Sequence, residues 1–342
     1  MLHRGCVIPA HPLALDEHRR LDERRQRALT RYYLDAGAGG IAVGVHTTQF
    51  EIRRPDVGLL RPVLELAAET ARERTDRPVL LVAGACGETA QAVAEAELAA
   101  SYGYSAVLLS PGGLEHRSEE ELLDRARRVA TVLPVIGFYL QPAVGGRALS
   151  AAFWRALADT PGVVAIKIAP FDRYATSDVV RAVCAADRRD EVALYTGNDD
   201  NILADLVTPF RFRAGEEILE KRIVGGLLGQ WAVWTHSAVD MLEQAHAAAR
   251  GDQAAALRIL RLAPQLTDAN GAVFDVAHGF SGCVAGIHEV LRGQGLLAGR
   301  WCLDPAEDLS PGQAEEIERV RRAYPWLTDD EYVADRIDDW LR

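Results

Sequence analysis

Lys167 lies inside the apolar run Val163-Val164-Ala165-Ile166-Lys167-Ile168-Ala169, and it is one of only two lysines in a chain that carries 36 arginines. Arginine cannot shed its proton and attack a carbonyl, so a chain that otherwise prefers arginine keeps lysine where that chemistry is wanted. Apolar surroundings disfavour the ammonium and enlarge the neutral, nucleophilic fraction, which makes Lys167 a candidate Schiff-base residue. The competing reading is a lysine at a strand end that snorkels its head to water. Tyr139, in Gly137-Phe138-Tyr139-Leu140-Gln141-Pro142, is a candidate proton shuttle for such an amine. The competing reading is a tyrosine that fills the barrel mouth with its hydroxyl hydrogen-bonded.

Further candidates sit after other apolar runs. In Gly44-Val45-His46-Thr47-Thr48-Gln49-Phe50-Glu51, the hydroxyls of Thr47 and Thr48 with nearby amides could hold a carboxylate. A polar loop before a helix is the alternative. His46, and His11 in Pro9-Ala10-His11-Pro12, are imidazoles suited to acid–base work at neutral pH or to structural hydrogen bonds. In Tyr195-Thr196-Gly197-Asn198-Asp199-Asp200, Gly197 permits close backbone approach, and Asp199 and Asp200 read as caps of the next helix.

Composition narrows the classes. The net charge of −11 argues against general nucleic-acid binding. No run approaches the ~18 apolar residues of a membrane span, and the first ten residues do not resemble a secretory signal, so a cytoplasmic protein is expected. Five scattered cysteines, Cys6, Cys86, Cys184, Cys283 and Cys302, form neither a disulfide framework nor a CxxC zinc pair. With no HxH or HExxH spacing, neither a metal nor another cofactor is expected.

Positioning these residues falls to an alternation of short apolar runs and longer amphipathic stretches, the signature of parallel βα units. Strands are expected at Cys6–Pro9, Gly40–Val45, Pro78–Ala83, Ala106–Ser110, Pro134–Tyr139, Val163–Ile168, Val192–Thr196 and Arg222–Leu227. Helices are expected at Leu21–Ala36, Val63–Arg74, Thr89–Tyr102, Glu119–Val132 and Ser177–Ala186. Eight strands within about 250 residues suit an α/β fold of the (β/α)8 TIM-barrel type, with residues 1–250 as the barrel. Residues 251–342 have helical segments and no convincing strand, and read as a helical C-terminal appendage. The charged stretch Pro209–Lys221 looks like an insertion. In a barrel, the strand ends share one mouth, and Tyr139 is expected beside Lys167.

The Tyr139-x-x-Pro142 motif, the Ile166-Lys167 strand 28 residues later, Thr47-Thr48 and Gly197-Asn198-Asp199 together resemble the dihydrodipicolinate synthase and N-acetylneuraminate lyase family. The resemblance implies a metal-independent class I aldolase or lyase in which Lys167 forms an imine with pyruvate or another small 2-oxo acid. It also implies Tyr139 as proton relay, Thr47 and Thr48 as carboxylate holders, an aldehyde co-substrate, and a homodimer or homotetramer. The chain departs from the family in His46-Thr47-Thr48-Gln49, in His11, and in Ser110-Pro111-Gly112-Gly113, where a tyrosine pair is usual. Lysine biosynthesis is therefore not expected. Dehydration or hydrolysis of a sugar-acid-like substrate through the same imine, and a non-catalytic 2-oxo-acid-binding barrel, stand as alternatives. A metal-assisted aldolase or hydrolase using His11, His46, His116 and carboxylates is a further one.

Overall fold

The computed structural model describes residues 1–142 and 145–342. Eight parallel strands form the central sheet: β1 (Val7–Pro9), β2 (Gly40–Val43), β3 (Leu80–Ala85), β4 (Ala106–Leu109), β5 (Val135–Leu140), β6 (Val163–Ala169), β7 (Ala193–Thr196) and β10 (Ile223–Leu228). They neighbour one another in the order β1-β10-β7-β6-β5-β4-β3-β2. A parallel bridge between Ala10 and Ala42 joins the two outer members. With it, His11 N–H donates to Ala42 O at 2.8 Å and Gly39 N–H to Val7 O at 3.0 Å, so the sheet curls into the expected barrel. The charged stretch before the last barrel strand is a separate antiparallel hairpin, β8 (Phe210–Ala214) and β9 (Glu217–Lys221).

The strands are short and apolar because both faces are covered. Side chains of one face, among them Ile8, Ala10, Ala42, Val82, Leu108, Ile136, Phe138, Ala165 and Tyr195, form a cluster inside the barrel. Those of the other face join the larger cluster under the helices, which include α1 (Glu23–Asp35), α2 (Leu60–Arg74), α3 (Thr89–Ser101), α4 (Glu119–Ala130), α5 (Ala151–Asp159), α6 (Arg173–Cys184) and α7 (Ile202–Val207).

Several boundaries differ from the sequence expectation for physical reasons. β3 begins at Leu80, beyond Pro78, which has no N–H to give a ladder. α2 begins three residues before Val63, with Pro62 in its first turn, where a missing N–H costs nothing. α6 begins at Arg173 because the Asp172 carboxylate caps it, accepting from Ala175 N–H at 2.7 Å.

After β10 the chain is helical: α8 (Thr235–Ala249), α9 (Gln253–Val273), α10 (Cys283–Gly293), α11 (Gln313–Ala323), α12 (Asp330–Ala334) and α13 (Ile337–Trp340). Two parts of this region touch the barrel differently. The segment from Phe274 to Ile287 reaches over the mouth. The last forty residues return to α1, where Tyr32 donates to Asp329 Oδ2 at 2.7 Å and its ring packs 5.3 Å from that of Trp340. No helix among the described residues is long and apolar enough to cross a membrane.

Candidate active site

Lys167 occupies the inner face of β6 between Ala165 and Ala169, two small residues that leave room for its stem. Its ammonium lies 4.3 Å from the centre of the Phe138 ring. Gly197 at the end of β7 is required by the same stem, since a Cβ there would stand 2.5 Å from Lys167 Cε. The side chain ends in a cavity at the barrel mouth with about 80 Å³ open to the centres of water molecules. Desolvation by the surrounding protein holds Lys167 below the ordinary lysine range.

Asp199 lines the same cavity, and its negative charge opposes that depression. Desolvation pushes its carboxyl well above the ordinary aspartate range, with the lysine charge acting against the shift. The amine is lowered and the carboxyl raised, and each charge opposes the other's shift, an arrangement suited to a nucleophile with an acid–base group in the same cavity. The sequence pattern suggests that Asp199 and Asp200 cap the next helix, and the structure corrects this. The residue before α7 is Asn201, and no side chain caps that helix.

Two sets of bonds hold Asp199 at the mouth. Asn270 of α9 donates to its carbonyl at 2.7 Å, and Gln230 N–H reaches its carboxylate at 3.4 Å. Beneath it, Asp205 gathers Thr196 Oγ1 at 2.7 Å and Asn198 Nδ2 at 3.0 Å, and Arg173 closes the cluster. The Asn198 side chain then accepts from Phe171 N–H at 3.1 Å, tying the β6 and β7 loops together.

His46 and Thr47 also line the cavity, at a single 3₁₀ turn after β2. The His46 ring is accessible from the mouth, while surrounding protein and then the Lys167 charge lower its pKa and favour the neutral ring. The backbone amides of His46 and Thr47 open the turn and have no acceptor among the described residues. The threonine hydroxyls are already committed. Thr47 Oγ1 donates to Ala10 O at 2.8 Å and Thr48 Oγ1 to His11 O at 2.7 Å. Thr48 also accepts from Gly44 N–H at 3.0 Å, so this pair braces β1 against β2.

Three expected site residues are not at the mouth as expected. Thr48 is fully buried in that brace. Tyr139 pairs with Ile168 and points outward, its ring stacked 5.0 Å from Trp154 of α5. A bulge explains the difference. Val135 pairs with Val163 but Ile136 with Ala165, so the ladder skips Val164 and sets Phe138, not Tyr139, against Lys167. His11 follows the inward-facing Ala10 and therefore turns outward. There its ring bonds Thr30 Oγ1 at 2.9 Å and Pro12 O at 2.8 Å and meets Tyr33 edge-on at 5.2 Å. The structure thus gathers Lys167, His46, Thr47 and Gly197 at one cavity and adds Asp199. The alternation that places Lys167 inward was the signal for Asp199, which follows an inward strand end by a few residues.

No group of three or more His, Cys, Asp or Glu side chains among the described residues is arranged to hold a metal ion.

Comparison with known proteins bears on this arrangement. The sequence model of the dihydrodipicolinate synthetase family matches residues 4–209. Among curated proteins no sequence matches. Among solved structures, N-acetylneuraminate lyase from Fusobacterium nucleatum complexed with pyruvate superposes with a TM-score of 0.73 at 18% identity, covering 94% of this chain and 98% of that one. Dihydrodipicolinate synthase from Oceanobacillus iheyensis gives 0.72 at 20% identity, over 93% and 96%. The synthase from Aquifex aeolicus gives 0.72 at 18%, over 95% and 99%. At such identities the likeness is one of fold.

Proposed function

The chain belongs to the dihydrodipicolinate synthetase family, and from that premise we propose that it is a lyase that joins or cleaves a small 2-oxo acid and an aldehyde through an imine on Lys167. The observation that carries this reading is the placement of Lys167, one of two lysines in the chain, on the inner barrel wall in a cavity shared with Asp199. In the synthetic direction, the proton leaves the Lys167 ammonium for the Asp199 carboxylate, and the neutral amine adds to the C2 carbonyl of the acid. The protonated Asp199 gives its proton to the carbinolamine hydroxyl, which departs as water and leaves an iminium. The Asp199 carboxylate then removes a C3 proton, and the resulting enamine attacks the aldehyde carbon. The aldehyde oxygen takes up a proton, and water hydrolyses the new iminium to free Lys167.

The remaining residues support binding. The acid's carboxylate lies against the free amides of His46 and Thr47, where charge-assisted hydrogen bonds form at no cost to existing ones. The neutral His46 ring is placed to pass protons between that site and solvent. Tyr139 has no part in this scheme, because its ring is stacked outside the barrel. We place the enzyme in the cytoplasm, in keeping with its five free cysteines, and expect a homodimer or homotetramer, which light scattering will read.

The test is release of pyruvate from a 4-hydroxy-2-oxo acid by the intact protein and by Lys167→Arg. The account expects turnover in the first and none in the second, with unchanged circular dichroism. Equal turnover in both contradicts it.

A further inference from the structure

The walls of the cavity are apolar to a degree that the chemistry of the 2-oxo acid does not need. Leu108, Phe138, Leu140, Phe171, Phe280 and Ile287 line it, contributed by β4, β5, the loop after β6 and the segment that crosses from the C-terminal helices. Phe171 and Phe280 meet edge-on across the mouth with ring centres 5.9 Å apart. Both have left-handed backbones, with φ of 54° and 71°, a conformation unfavourable for a bulky side chain. The chain holds these two rings over the opening against a local preference.

The polar side chains of the cavity are few. Lys167 and Asp199 are taken up by the imine chemistry proposed above, and the Thr47 hydroxyl donates to Ala10 O. Apart from His46, this leaves Gln141 and the Cys283 thiol as the other polar side chains on the wall among the described residues. A polyhydroxylated aldehyde would bring several hydroxyls into this space, and each hydroxyl buried without a partner is unfavourable. An aromatic ring instead meets Phe138, Phe171 and Phe280 in the offset or edge-on arrangements that aromatic pairs prefer.

Building on the imine reading above, we propose that the aldehyde partner is apolar and aromatic, seated between the Phe171–Phe280 pair and the Phe138–Leu140 wall. The bond that forms joins C3 of the lysine-bound enamine to the aldehyde carbon, the carbonyl π pair moves to oxygen, and a proton completes the 4-hydroxyl. Hydrolysis then releases a 4-aryl-4-hydroxy-2-oxo acid.

The test incubates the full-length protein with pyruvate and either benzaldehyde or D-glyceraldehyde, measures condensation product by mass spectrometry, and traps the pyruvate imine with borohydride in parallel. The expected result is a trapped imine and a kcat/KM for benzaldehyde at least about tenfold above that for glyceraldehyde. In Phe280→Asn, whose new side chain suits the left-handed backbone, that ratio should fall several-fold. A trapped imine with glyceraldehyde used as well as benzaldehyde, or with neither used, overturns the aromatic assignment and leaves the lysine chemistry standing. Absence of any trapped imine overturns both.

Discussion

Lys167 and Asp199 face the same desolvating surroundings with opposite charges, and each restrains the shift of the other. Asp199→Asn removes the negative charge that supports the ammonium, so the Lys167 pKa falls further. The acid limb of imine formation, read as borohydride inactivation against pH in the presence of pyruvate, should therefore move to lower pH. Removal of the C3 proton loses its base, and exchange of pyruvate methyl protons for deuterium should slow by about 10²-fold or more. An acid limb that moves upward, or exchange at the original rate, contradicts the assignment. Tyr139 supplies the contrast. Its ring packs against Trp154, so Tyr139→Phe should keep kcat within about threefold, whereas a phenol acting in proton transfer would be worth ~10²-fold. The rarity of lysine made Lys167 legible in the sequence. The outward turn of His11 was not legible, since it depends on which face of β1 Ala10 occupies.

Elements decide what single residues cannot. An unbroken ladder from Val135–Val163 would set Tyr139 opposite Lys167, as the 28-residue spacing suggests. One bulged residue moves the register and exchanges the inward and outward faces. Nothing in the apolar run Val163-Val164-Ala165 announces that bulge, because valine and alanine fit either face. Strand positions were legible because short apolar runs end at glycine or proline, and the starts of α2 and α6 were missed because their first turns carry no apolar stripe. The segment that crosses the mouth is fixed at Asp275, which accepts from His278 at 2.6 Å, Gly282 N–H at 3.0 Å and Ser310 at 2.5 Å. Asp275→Asn keeps the side-chain size and tolerates φ of 56° but weakens all three bonds. We expect KM for the aldehyde to rise about fivefold with smaller change in kcat, because a looser wall must be ordered on binding. A fall in kcat at constant KM would show instead that the segment acts on the chemistry.

The molecule as a whole buries two histidines that the site does not use, His11 beneath α1 and His288 in α10, both fully inaccessible. Desolvation lowers each from 6.5 to about 4. Between those values the unfolded chain binds protons that the folded chain refuses, so stability is lost as pH falls below 6.5 and the loss levels off below about 4. In urea unfolding, His288→Gln should lose about 2 kcal/mol less than the intact protein between pH 7 and pH 5. An undiminished drop in that variant would assign the acid sensitivity elsewhere. Barrel class and the helical C-terminal stretch were legible because they follow from periodicity over many residues. The use of that stretch to wall the cavity was not, since Phe274, Phe280 and Ile287 meet the barrel only after the chain has closed on itself. The account as a whole rests on one covalent bond. Incubating the protein with pyruvate and borohydride and locating the adduct by peptide mass spectrometry tests it most directly. The account predicts a reduced pyruvate adduct on Lys167 and none in Lys167→Arg; a folded protein that forms no adduct, or forms it on another residue, contradicts it.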